Sequence, residues 1–163
     1  MNKPIIALLT NNDDDVYCFR KELIEGLIAD GYELLISCPY GPKFELMKEL
    51  PFIYDNPEID RRGTNPMRDF GLLMHYHKLL KKYHPSVVLT YTAKPNVYAS
   101  IAAHWMDIPV INNLTGLGSI VNERGLKRKF IMWLFRFAYQ KSACMMFQNA
   151  VNMQLAIDQG MVK

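Results

Sequence analysis

Four short stretches of this 163-residue sequence combine residue types and spacings that could do chemistry. In Thr92-Ala93-Lys94-Pro95-Asn96, Pro95 suits the first position of a helix and so sets Lys94 beside the N-cap. Free N–H groups and a cation at a helix N-terminus make a phosphate site. The rival is a solvated lysine next to an ordinary helix start. In Asn11-Asn12-Asp13-Asp14-Asp15, three carboxylates could hold a divalent ion through oxygen. Equally, they could favour a helix dipole, with Asp15 as the cap. That stretch has no glycine, so it is not a dinucleotide-binding GxGxxG loop. In Thr115-Gly116-Leu117-Gly118-Ser119, two glycines allow backbone to approach a ligand, or simply form a turn.

The fourth stretch is residues 124–141, which hold six basic side chains and no acidic one. Elsewhere 13 basic residues face 16 acidic ones, so this segment carries the whole positive excess of a chain with net charge +3. On a helix, Ile131, Leu134, Phe135 and Ala138 form a core-facing stripe. Lys129, Met132, Trp133, Arg136 and Gln140 fall on another face, where cations and an aromatic suit an anionic membrane surface. No RNP-like or zinc-finger pattern accompanies the charge, so nucleic acid is not the expected partner. The four histidines add little: His75 and His77 are two apart on a helix, and His84 and His104 are isolated.

The elements that must position these stretches follow from periodicity. Short apolar runs at 5–9, 33–37, 52–54, 87–91, 110–113 and 144–147 read as buried strands. Helical patterns at 16–30, 43–50, 66–83, 95–106, 124–141 and 151–159 separate them. Strands alternating with helices imply an α/β domain, a parallel sheet of six or more strands with helices on both faces. In strand order 3-2-1-4-5-6 the ligand crevice opens between strands one and four, beyond their carboxyl ends. The loops at 10–15, 91–96 and 114–119 border it.

Length allows one domain, 1–163, and a charged fraction of 21% beside 50% hydrophobic residues excludes a disordered chain. Cys18, Cys38 and Cys144 have no metal or redox spacing and read as reduced, mostly buried thiols of a cytoplasmic protein. The start of the chain does not read as a signal peptide. No run approaches the ~18 apolar residues of a membrane span.

Asp60-Arg61-Arg62-Gly63-Thr64-Asn65-Pro66, then Thr90-Tyr91-Thr92-Ala93-Lys94-Pro95-Asn96-Val97-Tyr98, then Ile108 through Ser119 stand in a familiar order. Together with Phe19–Ile24 and Gly31-Tyr32 they resemble the N-terminal domain of bacterial family 4 glycosyltransferases of the GT-B fold. The branch is the one acting on undecaprenyl-diphosphate-linked sugars in capsule, O-antigen and glycan assembly. The resemblance implies a Rossmann-like three-layer domain that forms the N-terminal half of a GT-B enzyme. It implies a retaining transfer from a nucleotide-sugar, without an obligatory metal or cofactor, to a lipid-linked glycan acceptor. It places Lys94, Asn96 and Thr115 with Arg61, Arg62 and Thr64 on the acceptor side, and Asn11, Asn12, Gly116 and Gly118 near the donor. It assigns no catalytic residue. The expected setting is the inner face of the cytoplasmic membrane, touched peripherally by Lys129, Trp133 and Arg136. The family's donor-binding C-terminal domain has no counterpart in these residues, so the domain alone is expected to be inactive.

Two other classes compete. A phospho-receiver would use Asp13 and Asp14 as its acidic cluster, Asp55 as phosphoacceptor and Lys94-Pro95 as its lysine. Against it, the Lys-Pro pair follows strand four and not strand five. A non-catalytic module would use the basic helix to bind a membrane or a partner.

Overall fold

The apolar runs pair side by side into a single parallel sheet. In the computed structural model, which describes residues 3–61, 63, 65–116 and 125–162, six strands alternate with five α-helices. The strands are β1 (Ile5–Leu9), β2 (Glu33–Ser37), β3 (Ile53–Asp55), β4 (Val87–Tyr91), β5 (Val110–Leu114) and β6 (Cys144–Phe147). The helices are α1 (Asp13–Ala29), α2 (Pro66–Tyr83), α3 (Ala93–His104), α4 (Gly125–Tyr139) and α5 (Ala150–Asp158). The strand order is β3-β2-β1-β4-β5-β6. The strand order reverses beside β1, which pairs with β2 on one side and β4 on the other. A receiver sheet, ordered 2-1-3-4-5, would set its first strand beside its third. The topology therefore removes the receiver reading.

Side chains alternate across each strand, so β1 feeds two cores. Ile6 and Leu8 point to one face with Leu34 and Ile36 of β2, under Val16 and Ile24 of α1. Ala7 and Leu9 point to the other face with Leu35, Val88 and Val110. There Leu72, Tyr76 and Leu80 of α2 meet Ala99, Ala102 and Ala103 of α3. The alanines let α3 lie close to the sheet. A third cluster joins Val97, Ile101 and Leu114 to Met132, Phe135, Ala138 and Tyr139 of α4 and Ala156 of α5. Met132 is thus buried in the core, and not on the outer face of α4 as its spacing from Lys129 suggests.

Several helix starts differ from the pattern reading. Asn12, and not Asp15, caps α1: its side chain accepts from the Asp15 N–H. The segment 43–50 forms only a 3-10 turn, Phe44–Met47. It is pinned to the start of α1 because the Lys43 N–H donates to the Asp13 carboxylate at 2.8 Å. Gly41 permits this, since a Cβ there would sit 2.3 Å from that carboxylate. α2 begins at Pro66 as expected, with Asn65 accepting from the N–H groups of Met67 and Arg68. No helix among the described residues is long and apolar enough to cross a membrane.

The cysteines are not mostly buried: Cys18 and Cys144 are exposed, and only Cys38 is enclosed. Burial, then the carboxylates of Asp13 and Asp55, push the Cys38 thiol up to about 12. Thiol reactivity follows the thiolate. At neutral pH, iodoacetamide is therefore expected to modify Cys18 and Cys144 in the folded protein and Cys38 only after unfolding. Peptide mass mapping of the labelled sites checks this, and labelling of all three at similar rates would contradict it.

Candidate functional site

The described residues of the three suspect loops, 10–15, 91–96 and 114–116, follow the carboxyl ends of the neighbouring strands β1, β4 and β5. At the end of β1, Thr10 is fully buried and its hydroxyl donates to the Asp15 carboxylate at 2.8 Å. Arg20, one turn further along α1, donates to the Asp15 carbonyl at 2.7 Å and lies 3.5 Å from its carboxylate. Its guanidinium rests 3.6 Å from the centre of the Tyr91 ring, at the end of β4. One buried arginine therefore ties the first loop to the fourth strand across the switch point. No local signal marks Arg20 as buried, because a charged residue on an amphipathic helix has the pattern of solvated surface.

Asn11 and Asn12 stay partly exposed at the mouth, linked by a 2.8 Å hydrogen bond between their amides. The aspartates diverge. Asp13 turns to Lys43, Asp15 turns to Thr10 and Arg20, and Asp14 is exposed. Carboxylates aimed at separate partners do not assemble a cation site, and no group of metal-ligating side chains occurs among the described residues. The helix-start reading accounts for them.

At the second loop, α3 starts at Ala93, two residues before Pro95. Thr92 caps it with φ 68 and ψ 160, a conformation that costs a non-glycine residue energy, and no side chain caps the first turn. Lys94 therefore lies inside the first turn. It is not a solvated cation: its ammonium donates to Asp69 of α2 at 2.5 Å, with 14% of its side chain exposed. Burial and the same Asp69 carboxylate raise the pKa of Tyr98.

Asn96 lies beneath the crevice, fully buried. Its amide oxygen accepts from the Thr90 hydroxyl at 2.7 Å, and its NH2 donates to the Asn113 carbonyl at 3.0 Å. The Asn112 NH2 donates to Thr90 at 2.6 Å and Ser100 at 2.7 Å, while its oxygen accepts from Ser142. All of the hydrogen-bonding groups named on Asn96 are thus engaged internally, and it supports the loop from below. Thr115 and Gly116, after β5, stand partly exposed at the crevice, with Gly116 at φ 150. Gly118 lies outside the described residues.

A second concavity opens beyond β2 and β3, with a volume of about 1220 Å³. Arg61 stands exposed on its wall with Glu58, Asp60 and Arg68. Arg62 and Thr64 lie outside the described residues. His75, which has no ligand spacing in the sequence, lines this cavity, and its Nε2 lies 2.8 Å from Asp55 Oδ2. The Ser37 hydroxyl donates to the same oxygen at 2.6 Å. Twenty residues separate His75 from Asp55, so no local motif marks the pair.

On α4, Lys129 and Trp133 are exposed, and Phe130, Trp133 and Phe137 stack along its outer face at 6.1 and 5.7 Å. Arg136 is exposed as well, but its guanidinium donates to the carbonyls of Gln159 and Gly160 and so holds the end of α5.

A doubly wound sheet with its crevice at the β1/β4 switch is the architecture of one half of a GT-B enzyme, and solved structures carry the same fold. MurG of Acinetobacter baumannii superposes with a TM-score of 0.63 at 12% identity, over 93% of this chain and 42% of that one. A glycosyltransferase from Rickettsia africae matches at 0.63 and 16%, over 85% and 34%. A UDP-GlcNAc 2-epimerase from Methanocaldococcus jannaschii matches at 0.64 and 18%, over 98% and 43%. The chain thus spans less than half the length of each. No curated protein sequence matches it. The pattern of the glycosyl transferase 4-like family matches residues 5–149. The chain belongs to that family, and its fold is that of an N-terminal GT-B domain.

The buried amide network makes a quantitative demand. Asn112→Ala leaves the hydroxyls of Thr90, Ser100 and Ser142 short of a partner, at about 2–4 kcal/mol in all. Urea denaturation is expected to show that loss, whereas a loss below about 1 kcal/mol would mean that water or neighbours replace the amide.

Proposed function

We propose that this chain is the acceptor-side domain of a retaining hexosyltransferase, which moves a sugar from a nucleotide-sugar to a glycan carried on a polyprenyl diphosphate. The setting is cell-surface polysaccharide synthesis, such as capsule or O-antigen, at the cytoplasmic face of the membrane. The observation that supports the reading is the topology: in a glycosyl transferase 4-like chain, Asn11 and Asn12, Lys94, and Thr115 and Gly116 follow β1, β4 and β5, the strands at and beside the switch point. The epimerase neighbour, whose name specifies a UDP-sugar, supports a nucleotide-sugar as the donor class.

In this reading residues 1–163 hold the acceptor and a second domain holds most of the donor, so the isolated domain turns over nothing detectable. The backbone around Gly116 approaches the donor diphosphate, and Arg61 contributes to the acceptor side. Lys94 sits in the uncapped first turn of α3, where its charge and the free N–H groups offset diphosphate charge once the ammonium moves from Asp69. No metal is required for that step.

Lys94→Ala in the complete enzyme is expected to lower kcat/KM with a diphosphate-linked acceptor by about ten- to a hundredfold, the worth of a charge-assisted contact. Asp69→Asn serves as the control, because it breaks the same ion pair but keeps the cation. A loss under about fivefold for Lys94→Ala would leave the lysine as no more than the partner of Asp69.

The outer face of α4 supports the membrane setting. Trp133 is 57% exposed within a stacked aromatic row, and Lys129 stands beside it. Each cation near an anionic surface contributes about 1 kcal/mol, less in salt. The protein is expected to co-sediment with anionic vesicles, to be released by salt and to ignore neutral vesicles. Lys129→Glu combined with Trp133→Glu should abolish the binding without disturbing Arg136, which holds α5. Equal binding to neutral and anionic vesicles would remove α4 from the mechanism.

A further inference from the structure

The cavity beyond β2 and β3 opens on the same edge of the sheet as the crevice. Pro39 follows β2, residues 56–61 follow β3, and β2 is the neighbour of β1. Its other wall is one face of α2, where Arg68, Gly71, Leu72 and His75 recur at helical spacing. We propose that this cavity is a saccharide subsite, which holds neutral sugar units of the acceptor glycan against Gly71 and His75.

Three observations converge on that ligand. The first is His75. An ionised carboxylate only accepts, so Asp55 takes the Nε2–H and the neutral ring keeps its lone pair on Nδ1. Nδ1 has no hydrogen-bond partner among the described residues. The ring is held in place, because the Ser37 hydroxyl fixes the same carboxylate oxygen, yet its side chain is 38% exposed. A fixed acceptor at a cavity wall suits a ligand hydroxyl. The second is Gly71. Inside a helix a glycine costs stability relative to alanine. No protein neighbour demands it, since a Cβ built there meets no atom within 4 Å. Gly71 borders the cavity, so the missing side chain leaves room for a ring to lie close to α2. The third is charge and size. Glu58 and Asp60 offset Arg61 and Arg68, so the described wall has no excess charge to select a phosphate. Ile59 and Leu72 set apolar surface among these polar groups, as a sugar sets C–H faces among hydroxyls. The volume, about 1220 Å³, exceeds the ~300–1,000 Å³ usual for one small molecule, which leaves room for more than one ring.

The inference rests on the reading that the acceptor is a glycan, and it adds which residues receive its sugars. Two measurements test it. The first is NMR of the protein with isotope-labelled histidine, titrated with millimolar chitobiose, lactose and maltose, and with pyrophosphate as the charged comparison. A disaccharide is expected to shift the His75 Nδ1 resonance, and pyrophosphate is not. Gly71→Ala is expected to raise the urea midpoint and yet weaken that disaccharide at least about fivefold. A gain in stability beside a loss of binding separates a ligand contact from a folding role. His75→Phe, which keeps a ring but no acceptor, should abolish the binding. The second is transfer by the complete enzyme, where Gly71→Ala should raise the acceptor KM at least about fivefold and leave the nucleotide-sugar KM unchanged. A shift with pyrophosphate alone, none with any disaccharide, or disaccharide binding unaltered by Gly71→Ala would overturn the proposal. If disaccharides bind at His75 but no sugar reaches a lipid-linked glycan, the proposed function fails and the saccharide site stands. Transfer with an unchanged acceptor KM in Gly71→Ala has the opposite meaning.

Discussion

The need to satisfy buried polar groups in the middle of a dry sheet governs this domain. Asn112 occupies the centre of β5, directly across from Thr90 of β4, and both are fully buried. Parallel strands covered by helices on both faces are usually apolar throughout. Here two amides and two hydroxyls, those of Asn96, Asn112, Thr90 and Ser100, enter that environment, and each must find a partner or cost free energy comparable to a lost hydrogen bond. They do so by joining β4, β5, α3 and the start of β6 in one chain from Ser142 through Asn112 and Thr90 to Asn96. Because each hydroxyl and amide has one arrangement that satisfies the others, the network fixes how α3 enters the crevice.

The same logic explains the strained turn above it. Asn96 is held from below by Thr90 and Asn113, and α3 packs its alanines on the sheet. The chain must pass from the end of β4 to a helix whose position is already set, and Thr92 absorbs the mismatch at φ 68. Strain of this kind persists only where the surroundings over-determine the backbone. Its effect is to leave the first turn of α3 without a side-chain cap beside the crevice.

Charge is organised in two ways. Near the crevice, cations are matched inside the domain: Arg20 to Asp15 and Tyr91, Lys94 to Asp69. Such pairs orient side chains more than they add net stability. On α4, Arg128 and Arg136 are spent on Gln159 and Gly160 at the end of α5, while Lys129 stands exposed on the helix that carries the Phe130, Trp133 and Phe137 row.

The order and type of the elements were legible in the residues alone, because hydrophobic periodicity is local and strong: every strand lies within two residues of its apolar run. The order of strands is the usual one of a doubly wound sheet, and with it comes the position of the crevice. Helix starts were less legible. Asp15 and Pro95 each matched a start signal, yet Asn12 and Thr92 took the caps, since a cap depends on which neighbours the preceding strand brings near. The candidate site was legible only where its residues are adjacent in sequence, as around Lys94 and Gly116. The pairs Lys94–Asp69 and His75–Asp55, the burial of Asn96 and the ring contact between Arg20 and Tyr91 join residues on different elements. Composition and spacing determine which side chains a segment carries and how often they recur. Only packing decides which of them meet, because the free energy of a contact exists when two distant segments share one surface.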